Sequence, residues 1–155
     1  MSFQTVVSEL TGLPLSNCSL LDESTAGAEA ALMMYNLRGR DQIKNNVNKL
    51  FLDQYIFPQT LAVINTRMAP HGIEIVIGDY KSIEIDASFF GAIVQYPNSN
   101  GSIEGYAGFV GHAHAMDCKA AVATDLMAVT LVIPQGAGGV YIAFGSSQPF
   151  GIQRF

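Results

Sequence analysis

The sequence predicts an α/β fold in which helices cover a mostly parallel sheet. Three observations carry this expectation. Short apolar runs, several of them rich in β-branched residues, recur along the chain, separated by segments with apolar positions three or four apart. These runs are nearly continuous in apolar character rather than alternating, as strands buried on both faces are. Glycine and proline punctuate the chain at element spacing, without a linker, repeat, low-complexity tract or charge block. Such alternation is the pattern of βαβ units, whose ligands sit at the carboxyl ends of the strands. At 155 residues the chain fits one domain, 1–155, long enough to bury roughly two thirds of its unfolded surface.

A first helix is expected to start near Asp22 or Ser24 and to run through Ala26, Ala30, Met33, Met34 and Leu37 until Gly39 stops it. Its small residues suit close packing. Asn48 to Asp53 reads as a strand. Pro58 to Arg67 reads as a helix, with Pro in the favoured first turn and Pro70 and Gly72 beyond its end. Ile73 to Gly78 and Gly91 to Tyr96 read as strands, the second closed by the turn-forming Pro97-Asn98-Ser99-Asn100-Gly101. Ile103 to Met116 places Ile103, Tyr106, Ala107, Phe109, Val110 and Ala113 at helical intervals. Lys119 to Ala123 and Val140 to Phe144 return to short strands.

Composition excludes several functions. Hydrophobic residues make up 49% and charged residues 14%, so the chain is far from a disordered composition, and much of it should be interior or meet a partner. A net charge of -5 without a Lys/Arg cluster argues against nucleic acid as a ligand. The most apolar region, Ala120 to Phe144, is broken by Asp125, Pro134 and Gly136, Gly138 and Gly139, so a membrane is not expected either. Cys18 and Cys118 form neither a CxxC pair nor a disulfide framework, which fits a reducing compartment. MSFQTVVSELTG reads neither as a signal peptide nor as a transit peptide, and a cytoplasmic location is expected.

Gly136-Ala137-Gly138-Gly139 lacks the order and spacing of a dinucleotide loop, and Tyr141 stands where a third glycine is required. Ser146 and Ser147, in the turn GSSQPFG, lack the Gly-x-Ser-x-Gly frame of a hydrolase elbow, because Pro149 replaces the final glycine. His112 and His114, two apart on a helix, point to different sides and do not make a metal site. Asp125 follows a strand where ligands meet an α/β sheet, and two readings are open: pairing with a cofactor nitrogen, or capping the next segment. Asp22 and Glu23 suit the positive end of the first helix, but two carboxylates there repel a phosphate.

The long segments SFQTVVSELTGLPLSNCSLLDESTAGAEA (Ser2 to Ala30), RDQIKNNVNKLF (Arg40 to Phe51), PQTLAVINTR (Pro58 to Arg67), FFGAIVQYPNSNG (Phe89 to Gly101), ATDLMAVTL (Ala123 to Leu131) and GSSQPFG occur in an order that resembles the glycine cleavage system P-protein, glycine dehydrogenase (decarboxylating). The resemblance covers almost the whole chain. It implies part of an aminotransferase-like large domain of pyridoxal-phosphate fold type I, from the interior of the amino-terminal half of that longer enzyme. In the family, only the carboxyl-terminal half carries the Schiff-base lysine. By this resemblance Gln148 stands at the lysine position, so no catalytic residue is expected here, and an amide cannot form an aldimine. Asp22-Glu23-Ser24-Thr25 stands at the phosphate-binding helix start, with Ser24 and Thr25 as candidate cofactor contacts, and Asp125 lies near the counterpart of the carboxylate facing the pyridine nitrogen.

The chain departs from the family near its end. Ile133-Pro134-Gln135-Gly136-Ala137-Gly138-Gly139-Val140 replaces the usual Pro-Pro-Gly-Glu-x-Gly-x-Asp, and Gln148-Pro149-Phe150-Gly151 replaces Gln-Arg-Phe-Gly. In the family's reaction, glycine is decarboxylated on pyridoxal phosphate and the aminomethyl group passes to the lipoyl arm of the H-protein. The implied role of this chain is structural, at an interface with the remainder of the P-protein or with a second P-protein subunit. It is expected to be inactive alone, with no covalently bound cofactor and no metal. The alternative is an independent α/β module that binds a small ligand or a protein without catalysis.

Overall fold

The structure is a computed structural model, which describes residues 2–18, 20–129, 138–148 and 151. Among the described residues five strands form one sheet: β1 (Lys49–Asp53), β2 (Glu74–Gly78), β3 (Phe89–Tyr96), β4 (Lys119–Thr124) and β5 (Ile142–Phe144). Their order is β2-β1-β3-β4-β5 and every pairing is parallel, as the near-continuous apolar runs predict. The helices among the described residues are α1 (Ser2–Thr11), α2 (Glu23–Asn36), α3 (Arg40–Lys44), α4 (Pro58–Met68), α5 (Ala107–Ala115) and α6 (Leu126–Val129).

Because side chains alternate across a strand, each strand feeds two cores. Leu50, Leu52, Ile93, Ala121 and Ala123 meet α2 and α4 on one face, with Met34, Ile64 and Phe144. Val94, Val122 and Ala120 point the other way, onto Tyr106 and Val110 at the start of and within α5. Phe51 and Ala92 share that second face with Ala113 and Cys118. The small residues of α2 let it approach closely. A Cβ on Gly27 would lie 3.0 Å from the Phe144 ring, and one on Gly91 of β3 would lie 3.1 Å from Met34 Cε.

Asp22 caps α2, its Oδ1 accepting the Thr25 N–H at 2.6 Å. Arg38 closes the other end, donating from Nε to the Tyr35 carbonyl and from Nη1 to the Val47 carbonyl. Gly39 therefore does not stop α2 itself; α2 ends at Asn36 and Gly39 opens α3. α4 starts at Pro58 as expected, then passes into a short turn, Ala69–His71, which Gly72 ends in the left-handed region at φ 65°.

Some elements differ from the sequence reading. α1 and α3 were not anticipated, and no helix joins β2 to β3: residues 79–88 make that connection with turns, and Ile85 packs beneath the sheet. The helix expected from Ile103 begins at Ala107, and the last strand is confined to Ile142–Phe144. No helix among the described residues is long and apolar enough to cross a membrane. Cys18 is exposed, Cys118 is buried, and no disulfide links them; burial pushes the Cys118 thiol up to about 12.

Candidate functional site

The parallel strands bring their carboxyl ends to one edge, where a cleft of about 320 Å³ opens. Its wall combines Glu23 from the start of α2, Phe57 before α4, Gln95 of β3, Thr124 and Asp125 at the end of β4, Ser146 after β5, and residues of the turn after β3. That turn follows the cis Tyr96–Pro97 peptide bond. It is held by the Asn98 side chain, whose Oδ1 accepts the N–H groups of Asn100 and Ser102, each at 3.0 Å. Beneath the cleft, Tyr106 donates its hydroxyl to the Gln95 carbonyl at 2.7 Å, and burial keeps that phenol protonated far above its ordinary range.

Two carboxylates face this space. Burial pushes the Glu23 carboxyl up, and the charges of Asp125 and Asp22 push in the same direction against the neighbouring Gln95 amide. Asp125 Oδ1 accepts the Met127 N–H at 2.7 Å, and its carbonyl accepts the Val129 N–H at 3.1 Å. It thus caps α6 while lining the cleft, so the capping geometry of the two readings is present. Asp53, buried at the end of β1, faces the backbone N–H groups of Tyr55, Gln54 and Tyr80, and burial outweighs them and raises its carboxyl too.

The other residues singled out in the sequence fall in different places. Ser24 is buried between helices, its Oγ 3.2 Å from Thr60 Oγ1, and is not part of the cleft wall. Thr25 spends its N–H on Asp22. In the turn GSSQPFG, Ser146 reaches the cleft whereas Gln148 is exposed, donating its N–H to Ser146 Oγ at 3.2 Å. Pro149 and Phe150 lie outside the described residues, as do Gly136 and Ala137 of the glycine cluster and the segment 130–135. His112 is exposed, while His114 rests on the Tyr141 ring with centroids 4.8 Å apart. Among the described residues no group of three or more His, Cys, Asp or Glu side chains could hold a metal.

Glu23 as a member of the cleft, and Gln95, Thr124 and Phe57, were missed by motif reading. The signal available for Gln95 and Thr124 was positional: polar residues closing otherwise apolar strands of a parallel sheet.

The family model described as the glycine cleavage system P-protein matches residues 1–154. A glycine dehydrogenase (decarboxylating) of Bacteroides thetaiotaomicron is 52% identical over 155 residues, which are 100% of this chain and 16% of that protein. One from Nostoc punctiforme is 43% identical over 98% of this chain and 15% of its own length. A crystal structure of glycine decarboxylase (P-protein) of the glycine cleavage system, in inhibitor-bound form, superposes with a TM-score of 0.85 at 25% identity, covering 97% of this chain and 34% of that one. CalE6, a methionine gamma lyase from Micromonospora echinospora, shares the fold with a TM-score of 0.65 at 12% identity, over 88% of this chain and 36% of that one.

A parallel five-stranded sheet with covering helices and a cleft at its carboxyl edge places the chain among α/β proteins of pyridoxal-phosphate fold type I. Within that class it belongs to the glycine cleavage system P-protein family. It spans about one sixth of the length of the curated relatives it matches, with 16% and 15% of theirs covered.

Proposed function

We propose that this chain forms part of a glycine dehydrogenase (decarboxylating), in a half that lacks the Schiff-base lysine, and that it serves as scaffold and interface without catalysis of its own. The observation that carries this reading is the absence of any amine from the cleft wall among the described residues. Lys49 and Lys119 open β1 and β4, at the opposite edge of the sheet, and Lys44 ends α3, which leads into β1. Lys81 pairs with Glu104 at 3.1 Å. Gln148, at the family's lysine position, carries an amide that cannot form an imine.

Pyridoxal phosphate, when bound in the complete enzyme, supplies the electron sink for decarboxylation. The residues around this cleft do not fit that group. A phosphate needs bare N–H groups at a helix start, whereas Asp22 already accepts one there and Glu23 adds a second carboxylate beside the cleft. Ser24, engaged with Thr60, is turned to packing. Asp125 keeps one oxygen on Met127. In this reading the cofactor and the lipoyl H-protein are met by other parts of the enzyme, and this chain supports them from the cytosol through contact with the remainder of the P-protein or a second P-protein subunit. The reading is tested by glycine–carbon dioxide exchange with added pyridoxal phosphate and lipoyl H-protein: the chain alone is expected to give no exchange, and turnover above the protein-free control would overturn it.

A further inference from the structure

The cleft has a second property that its lack of an amine does not explain. Glu23 and Asp125 both line it, and no described residue of its wall is cationic. Two more of its residues are almost wholly buried, Gln95 at 2% exposure and Thr124 at 3%. Each holds an oxygen, Gln95 Oε1 and Thr124 Oγ1, without a hydrogen-bond partner. A buried oxygen left unpaired is costly, and two carboxylates near one another are costlier when both are charged. All four groups call for the same complement, a positive charge bearing several N–H donors. We propose that this cleft is a binding site for an organic cation, an ammonium or guanidinium group, held by Glu23 and Asp125 and aligned by Gln95 and Thr124.

The dimensions agree, since a cleft of about 320 Å³ is at the small end of ligand sites and admits a cationic side chain or a short amine. Burial is the main cause of the raised Glu23 carboxyl, and Asp125 and Asp22 add to it; a bound cation would offset the part that those two charges contribute. A phosphate or carboxylate ligand would meet repulsion. Two sources offer the required chemistry: a free amine, or an arginine or lysine side chain of polypeptide. The inference does not rest on the proposed scaffold role, which stands or falls with exchange activity.

The test is a titration of the purified 155-residue chain with agmatine, with the blocked peptide acetyl-Gly-Arg-Gly-amide, and with inorganic phosphate, followed by amide NMR shifts and calorimetry. Agmatine or the peptide is expected to saturate, shifting the amides of Glu23, Gln95, Thr124 and Asp125, and phosphate is not. Tighter binding of agmatine assigns the site to free amines, and tighter binding of the peptide assigns it to a polypeptide side chain. Glu23→Gln and Asp125→Asn, each of which keeps its hydrogen-bonding shape, are expected to weaken binding about tenfold. Saturation by neither cation, shifts elsewhere in the chain, or unchanged affinity in both folded variants would overturn the proposal.

Discussion

Gly145 has no room for a side chain: a Cβ there would stand 2.0 Å from the Thr124 carbonyl oxygen. The backbone at Gly145 therefore runs close beside the end of β4, one residue before Ser146 of the cleft wall. Gly145→Ala is expected to lower stability by about 3 kcal/mol, read by urea unfolding, with faster hydrogen exchange concentrated at β5. Ser24 makes a different kind of contact. Ser24→Ala strands Thr60 Oγ1 in the interior and is expected to cost about 1 kcal/mol; a stability loss near zero would show that the hydroxyl pair contributes nothing to α2–α4 packing.

Glu23 and Asp53 determine a pH response with a definite sign. Both carboxyls lie above their ordinary values of 4.5 and 3.8, chiefly because of burial, so the folded chain holds protons that the unfolded chain releases. Stability contributed by these groups is therefore greatest below those values and declines as pH rises through them to the raised ones. Glu23→Gln removes one such group. Its melting temperature is expected to exceed that of the unsubstituted chain at pH 7, with the gap closing as the pH falls toward 4. A gap that widened on acidification would contradict the burial argument.

At the scale of elements, α2 organises one face of the sheet, and Met34 is its most committed side chain, fully buried over Gly91 and Leu50. Met34→Ala is expected to cost about 3 kcal/mol in equilibrium unfolding. α2, α4 and the strands were legible because each combined an apolar pattern with a punctuating residue: Asp22 as cap, Pro58 in a first turn, Gly78 at a strand end. α3 escaped because five residues are too few to show a period. α5 was placed too early because Ile103 continues the apolar spacing, yet Ile103 is 58% exposed and the helix begins only after Tyr106 has sent its hydroxyl to β3. The cleft was legible only as a location, the carboxyl edge. Which side chains meet there depends on register between strands distant in sequence, as with Gln95 beside Ala123 and Tyr96 beside Thr124.

At the scale of the molecule, apolar side chains remain outside. Leu15 and Leu21 are 87% and 88% exposed in the segment between α1 and α2, and Met33, Leu37 and Ile43 are exposed on and after α2. Since the chain covers 34% of the P-protein structure it superposes on, the scaffold reading assigns such surface to contact with further polypeptide. Light scattering on the purified chain is expected to show self-association; a monodisperse monomer at high concentration would count against the interface role.

Among the described residues, the cleft wall of this member of the P-protein family holds no amine that can form an imine. The most direct measurement is incubation with one equivalent of pyridoxal phosphate, reduction with borohydride, and intact mass spectrometry. The account predicts no stoichiometric adduct at Lys44, Lys49, Lys81 or Lys119. Stoichiometric labelling of any one of these lysines would contradict it.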